Sequence, residues 1–222
     1  MRACHDKVRS GGTGVPPVWS DRKRAGRPCP LVFPKRGVAA CATLLLVVAV
    51  AMAGERLTVP TPQAAVERMV ELAEIRPGDK VYDLGCGDGR IVITAARRHG
   101  VRAVGVDIDP AQVARSRENA KRAGVEELVS IVEGDIYQTD FREADVVFLY
   151  LQPDLLRGLI PQLRRMKPGA RIVAFDFGLD GAKPARVERG AFGERQHGTI
   201  YRYDVPWEED GGTTWDLFTP AP

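Results

Sequence analysis

A chain of 222 residues, 44% hydrophobic and 27% charged, has room for one average domain plus extensions and the composition of a globular protein. Its net charge of +3 is unevenly spread: residues 1–37 hold nine Lys/Arg against two Asp/Glu, so the remainder is slightly acidic and lacks the broad positive field of a protein that grips a phosphate backbone. Four scattered cysteines (Cys4, Cys29, Cys41, Cys86) form no C-x-x-C pair and suggest neither a zinc knuckle nor a disulfide framework, and three distant histidines (His5, His99, His197) give no local metal motif.

Residues 1–37 are rich in Gly, Pro, Arg and Lys without helical or strand period, which predicts a disordered basic leader. Val38–Ala53, VAACATLLLVVAVAMA, has no charge, follows Lys35 and Arg36, and ends in Ala51-Met52-Ala53, the pattern of a secretory signal or an uncleaved anchor. As a helix it would rise about 24 Å, slightly short of a bilayer core. The leader is long for a signal peptide, and a start near Val32 would give an ordinary one. Cys41 precedes the apolar run, so a lipoprotein attachment site does not fit.

The expected domain spans 57–206. Thr61-Pro62 reads as an N-cap with proline at the first helical position, and Val66, Met69, Val70 and Ala73 mark one helix face before Pro77-Gly78. Strands follow near Lys80–Leu84, Ala103–Asp107, Val129–Glu133, Asp145–Leu151, Arg171–Phe177 and Thr199–Val205. Helices are expected near Ile91–His99, Pro110–Ala123 and Leu155–Met166. The second has Asp109 as cap and Gly124 as left-handed stop; the third carries Gly158 and Pro161, which predict a kink or division. Strands such as DVVFLYL are nearly continuous apolar runs, the mark of a parallel sheet covered on both faces, hence a doubly wound α/β fold. The acidic, turn-rich stretch 207–222 reads as a flexible tail.

Gly85, Gly87 and Gly89 in VYDLGCGDGR lie where an open parallel sheet binds ligands, beyond the C-terminal end of its first strand. A dinucleotide site wants G-x-G-x-x-G and a helix N-terminus free for pyrophosphate, whereas this turn reads G-x-G-x-G with Asp88 inside it. Asp83, Asp107 and Asp135 each follow or close a strand; three carboxylates around one crevice favour a nucleoside over a phosphate-rich ligand. Asp107 suits a ribose diol and Asp135 an adenine amino group.

Together, DLGCGDG, VGVDIDP, EGD and the apolar fourth strand resemble the motifs of class I S-adenosylmethionine-dependent methyltransferases over about Pro60–Val205. Within that superfamily, VPTPQAAVERMVELAEIRPGDKVYDLGCGDGRIVITAA, LYLQPDLL and RIVAFDF are similar to bacterial relatives of the mitochondrial lysine methyltransferases of ATP synthase c-subunit and adenine nucleotide translocase. The resemblance implies a mostly parallel, seven-stranded Rossmann-like sheet with helices on both faces, and S-adenosyl-L-methionine as cofactor. The cofactor-binding set it implies is Thr61, Asp83, Gly85, Cys86, Gly87, Gly89, Asp107, Ile108, Asp135, Ile136 and Tyr150. Asp83 and the glycines would hold the methionine part, Asp107 the ribose, Asp135 with Ile136 the adenine, and the helix after Thr61 would fold over as a lid. No N-P-P-Y or D-P-P-Y follows the fourth strand, against amino methylation of adenine or glutamine.

Methyl transfer from a sulfonium needs positioning more than a covalent nucleophile, so Cys86 is read as a small residue required by the turn. A lysine acceptor must lose a proton, which calls for a carboxylate- or tyrosine-lined exit; Tyr150, Gln152, Asp154 and Asp176 are candidates, with Tyr150 and Asp176 as the favoured catalytic pair. The expected acceptor is a protein lysine. Alternatives are a small or lipid-like molecule, and, outside methyl transfer, a non-catalytic nucleoside-binding module or an NAD-dependent oxidoreductase. No nucleic-acid partner and no metal are expected, and the membrane is met through residues 38–53. Positive charge before that segment predicts export of the domain, whereas the methyl donor is made in the cytoplasm, so the side of the membrane stays open.

Overall fold

A computed structural model describes residues 60–192 and 197–211. The expected leader, the apolar segment 38–53 and the chain beyond residue 211 lie outside the described residues. Among the described residues no helix is long and apolar enough to cross a membrane.

The chain alternates α1 (Gln63–Leu72), β1 (Lys80–Leu84), α2 (Arg90–His99), β2 (Arg102–Asp107), α3 (Pro110–Arg122), β3 (Val129–Glu133), β4 (Val146–Leu149), α4 (Pro153–Leu163), β5 (Arg171–Phe175), β6 (Arg186–Ala191) and β7 (His197–Asp204). The seven strands form one sheet in the order β3-β2-β1-β4-β5-β7-β6. β1 to β5 run parallel, and β7 enters antiparallel between β5 and β6. The order reverses beside β1, so the crevice expected of a doubly wound sheet opens above β1 and β4.

Burial follows the strand period. Val81, Val146, Phe148, Val173, Phe175 and Ile200 face a core shared with α1, α2 and α3; Leu84, Val147, Leu149, Ile172, Ala174 and Tyr201 face a second core with α4. Because both faces are covered, every residue of β4 and β5 is buried, which is why they read as unbroken apolar runs. The α3 punctuation is as expected: Asp109 accepts from the Ala111 amide at 2.9 Å, and Gly124 takes φ +68° while the Val125 amide reaches back to the Ala120 carbonyl at 3.1 Å.

Four expectations need correction. α1 begins at Gln63, with Pro62 and not Thr61 in the cap position and no side-chain cap bond. α1 is also a core helix and not a lid: Ala65, Val66, Met69 and Val70 are fully buried, and its C-terminal carbonyls are clamped by two buried arginines. Arg171 donates to the Ala73 and Glu74 carbonyls and Arg202 to the Leu72 carbonyl, completing groups that a helix end leaves unpaired. α4 is not divided at Gly158 and Pro161, the second of the two outcomes expected there, but runs as one element with the proline inside it. Helical bonding resumes past the proline with the Arg164 amide on the Ile160 carbonyl, and Gly158 leaves room for the Tyr137 ring, which would lie 2.7 Å from a Cβ there. β6, the seventh strand the resemblance implies, is not among the six located by residue, because RVERGA carries charges at half its positions and is an exposed edge strand held by pairing with β7.

Packing also runs past the expected boundary at residue 206. The Arg164 guanidinium lies 4.9 Å from the centre of the Trp207 ring, the Lys183 amide donates to the Glu208 carbonyl, and Ala182 bridges to Glu209.

Candidate active site

The glycine turn is built by β2 as much as by β1. The Gly85 and Cys86 amides both donate to the Val106 carbonyl, at 2.8 and 2.9 Å, folding the chain back over the end of β2. Gly85, Gly87 and Gly89 all take positive φ (81°, 53° and 79°). Gly89 has a second constraint: a Cβ there would stand 2.1 Å from the Ser116 hydroxyl, so its absence lets α2 start against α3.

Three carboxylates surround this turn in different states. Asp107 accepts from the Gly87 amide at 2.8 Å through Oδ2 and from the Asp109 amide at 3.0 Å through Oδ1, so it fixes the turn and keeps further lone pairs for a ligand. Asp88 forms a two-pronged ion pair with Arg90, which also donates to the Thr61 carbonyl at 2.5 Å. With Asp88 also accepting from the Arg90 amide at 3.3 Å, the α2 N-terminus is met by a carboxylate of the chain, which disfavours a phosphate there.

Asp83 is the anomaly. It is 2% exposed and its Oδ2 has no hydrogen-bond partner. Burial, then the charges of Asp107 and Asp88, push its carboxyl up to about 8. A buried acid without a partner, opening on a cleft, is completed by a ligand carrying positive charge or a donor. The ammonium and sulfonium of S-adenosylmethionine fit that demand; a pyrophosphate does not. Burial also pushes the Cys86 thiol up, with Asp83 and Asp107 adding to the effect, so it is no nucleophile.

The cleft brings together Thr61, Asp83, Gly85, Cys86, Gly87 and Tyr150 of the expected set. It also holds Asp88, noted in the sequence as the acid inside the turn, and adds Arg90, Gln112 and Arg115, which sequence reading did not single out. Gln112 and Arg115, three apart just after the Asp109-Pro110 start of α3, share a helix face; that spacing was the available signal. Asp107 and Ile108 lie at the end of β2, outside the innermost cleft, and Ile108 is 55% exposed, an apolar side chain left uncovered beside it. Asp135 and Ile136 follow β3, tied to β2 by the Gly134 amide on the Asp107 carbonyl. Asp135 is partly spent locally, accepting from the Tyr137 amide at 2.9 Å.

Tyr150 and Asp176 meet, because β4 and β5 are parallel neighbours whose C-terminal ends lie side by side. The Tyr150 hydroxyl and the Asp176 carboxylate are near neighbours that act on each other's charge: burial first, then the nearby Asp176, raises Tyr150, while burial raises Asp176 against the opposing influence of Thr199 and Tyr150. Gln152 and Asp154 do not join them. Gln152 holds the α4 cap position, and Asp154 is an exposed acid paired with Arg157 at 2.6 Å. No cluster able to hold a metal ion occurs among the described residues.

Comparisons with known proteins agree with this geometry. The family profile described as the ANTKMT methyltransferase domain matches residues 83–186. The protein-lysine N-methyltransferase of Saccharolobus islandicus is 42% identical over 66% of this chain and 92% of its own length. The adenine nucleotide translocase lysine N-methyltransferase of Mus musculus is 38% identical, over 60% of this chain and 59% of the mouse protein. A crystal structure described as an RNA methyltransferase from Salinibacter ruber with S-adenosyl-L-homocysteine superposes with a TM-score of 0.63, at 45% identity, over 71% of this chain and 100% of that one. A match spanning nearly the whole archaeal relative, on a fold that leaves the buried Asp83 carboxyl oxygen unpaired at the crevice, places the chain in the ANTKMT-type family of S-adenosylmethionine-dependent methyltransferases.

Proposed function

We propose that the methyl acceptor is the side-chain amine of a protein lysine, received between Tyr150 and Asp176. The carrying observation is that pair: a half-buried carboxylate with a phenol beside it, next to the cofactor cleft, with the Tyr150 and Phe175 rings edge to face at 5.0 Å. A lysine arrives as an ammonium, which a carboxylate attracts and aromatic faces tolerate. The lysine activity of the archaeal and mouse relatives supports the same acceptor.

In this reading Asp83 holds the cationic methionine end of the cofactor, Asp107 the ribose, and Ile108 with Asp135 and Ile136 the adenine. When bound, the cofactor supplies a methyl group already activated on sulfur. The chain's own residues do the rest. Asp176 orients the acceptor ammonium and takes its proton at a carboxylate oxygen, freeing the nitrogen lone pair. Tyr150 stands beside that carboxylate, and the flanking rings keep water from the amine, holding it for in-line approach. Residues 57–206 with the packed Trp207 stretch make the catalytic domain, and residues 38–53 bring it to a membrane.

The purified protein, given tritium-labelled S-adenosylmethionine and host extract, should label protease-sensitive material, with mass spectrometry finding the methyl group on lysine nitrogens. Label removed by ribonuclease, or extracted with lipids and small molecules, would overturn the assignment.

A further inference from the structure

Two glycines face each other across the antiparallel pair at the far end of the sheet, Gly190 on β6 and Gly198 on β7. Aromatic rings lie against both. A Cβ on Gly198 would stand 2.6 Å from the tip of the Phe175 ring and 2.7 Å from Asp176 Oδ1; one on Gly190 would stand 3.3 Å from the Phe192 ring. Phe175 and Phe192 meet edge to face at 5.7 Å, and Phe175 meets Tyr150 in the same way. A row of three rings therefore runs from the cofactor cleft to the β6–β7 pair, seated where the strands have no side chains.

Asp176 is held in an uncommon backbone state beside this row. Its φ is +62°, and the Phe177 amide closes back on the Phe175 carbonyl at 2.8 Å, a three-residue turn that an L-residue with a side chain rarely adopts. β7 keeps it there: the Asp176 amide donates to the Thr199 carbonyl at 2.8 Å, and Oδ1 accepts from the Thr199 amide at 3.2 Å. Phe175 has no freedom to move aside, being fully buried between Tyr150 and Phe192. Any side chain at 198 must then displace the Asp176 carboxylate, the ring row, or both.

We infer that Gly198 is a positioning residue of the methyltransferase, acting through Asp176 and Phe175: the missing Cβ on β7 sets where the carboxylate and the aromatic row stand at the acceptor mouth. This rests on the reading of Asp176 and Tyr150 as the acceptor pair. The glycine turn that binds cofactor lies above β1, three strands from β7 in the sheet order, so cofactor binding should not sense the change.

The test compares Gly198→Ala, Gly190→Ala and Asp176→Asn with the wild type. Folding is followed by thermal melting, cofactor binding by calorimetry with S-adenosylhomocysteine, and transfer by initial rates of tritium label into a host protein extract. Gly198→Ala should bind S-adenosylhomocysteine within about twofold of wild type while its rate at saturating extract falls at least about tenfold; Gly190→Ala, whose added Cβ would meet its nearest ring at 3.3 Å and no carboxylate, should lose no more than about threefold. A Gly198→Ala rate near wild type, or a parallel loss of cofactor affinity as from general unfolding, overturns the inference. Slow Asp176→Asn with fast Gly198→Ala overturns the inference alone; wild-type rates in Asp176→Asn overturn the acceptor reading and the inference with it. Should Gly198→Ala not fold, Gly198→Ala with Phe175→Leu removes the ring collision and leaves the carboxylate one. That double variant should fold and stay slower than Phe175→Leu alone, and equal rates overturn the inference.

Discussion

Asp83 ties cofactor binding to pH. With its carboxyl at about 8 in the ligand-free protein, most molecules carry a neutral Asp83 at pH 7, and a cationic ligand must expel that proton to gain a carboxylate partner. Deprotonation at pH 7 costs about 1.4 kcal/mol, so affinity for S-adenosylmethionine should rise about tenfold from pH 7 to pH 9, with about 0.9 proton released per site at pH 7 and about 0.1 at pH 9. Calorimetry in buffers of different ionisation enthalpy counts those protons. The ligand's own amino group titrates nearby, so the decisive quantity is the release that Asp83→Asn abolishes. Stability runs the other way. The folded protein binds the Asp83 proton more tightly than the unfolded chain, so ligand-free stability should fall as pH rises from about 4 to about 8 and level off above, and Asp83→Asn should remove that slope. Equal proton release in wild type and Asp83→Asn would refute the reasoning, because the orphaned oxygen would then not be the group the ligand completes.

Asp107→Ala should weaken S-adenosylhomocysteine binding by about 1.5–3 kcal/mol, since it removes a charged acceptor and also leaves the Gly87 amide without its partner; unchanged affinity by calorimetry would sink that role. Arg171→Met should destabilise the protein by about 3–5 kcal/mol in urea unfolding, because Asp79, ion-paired with it at 2.6 Å, and the α1 carbonyls lose their donor together. An Arg171→Met midpoint equal to wild type would show that α1 is not held from its C-terminal end.

The sheet was legible because burial wrote it into the sequence. β1 and β3 appear at the residues expected, since doubly covered or alternating strands leave an apolar signal that turns bracket. β6 left none: an edge strand is held by backbone bonds that any side chains permit, and its Arg186 and Glu188 instead meet Glu74 and Arg68. The cofactor residues were legible because three glycines and strand-end acids stand close together in sequence. α1 misled, because a helix preceding a cofactor motif says nothing about Arg171 and Arg202, which clamp it from much later in the chain. Gly198 was illegible for the same reason, as the ring and carboxylate that require its bareness belong to β5 and the turn after it.

Tyr150 and Asp176 sit between these cases, since residue type suggested them but only strand order makes them neighbours. The Asp176 charge bears on the two acceptor chemistries named among the relatives, lysine and RNA. A phosphate drawn within about 5 Å of an ionised Asp176 would be repelled by roughly 1–3 kcal/mol at effective dielectrics between surface and water, and an ammonium at the same distance attracted by as much. The swing of roughly 2–6 kcal/mol favours a cationic acceptor by about one to four powers of ten at Asp176 itself, a preference that Arg189 and His197, which line the same cavity, reduce; the chain after residue 37 has more acids than bases. Burial, which raises Asp176, sharpens the preference: a carboxylate short of solvent gains most from the one acceptor group that brings both a positive charge and the proton it must give up.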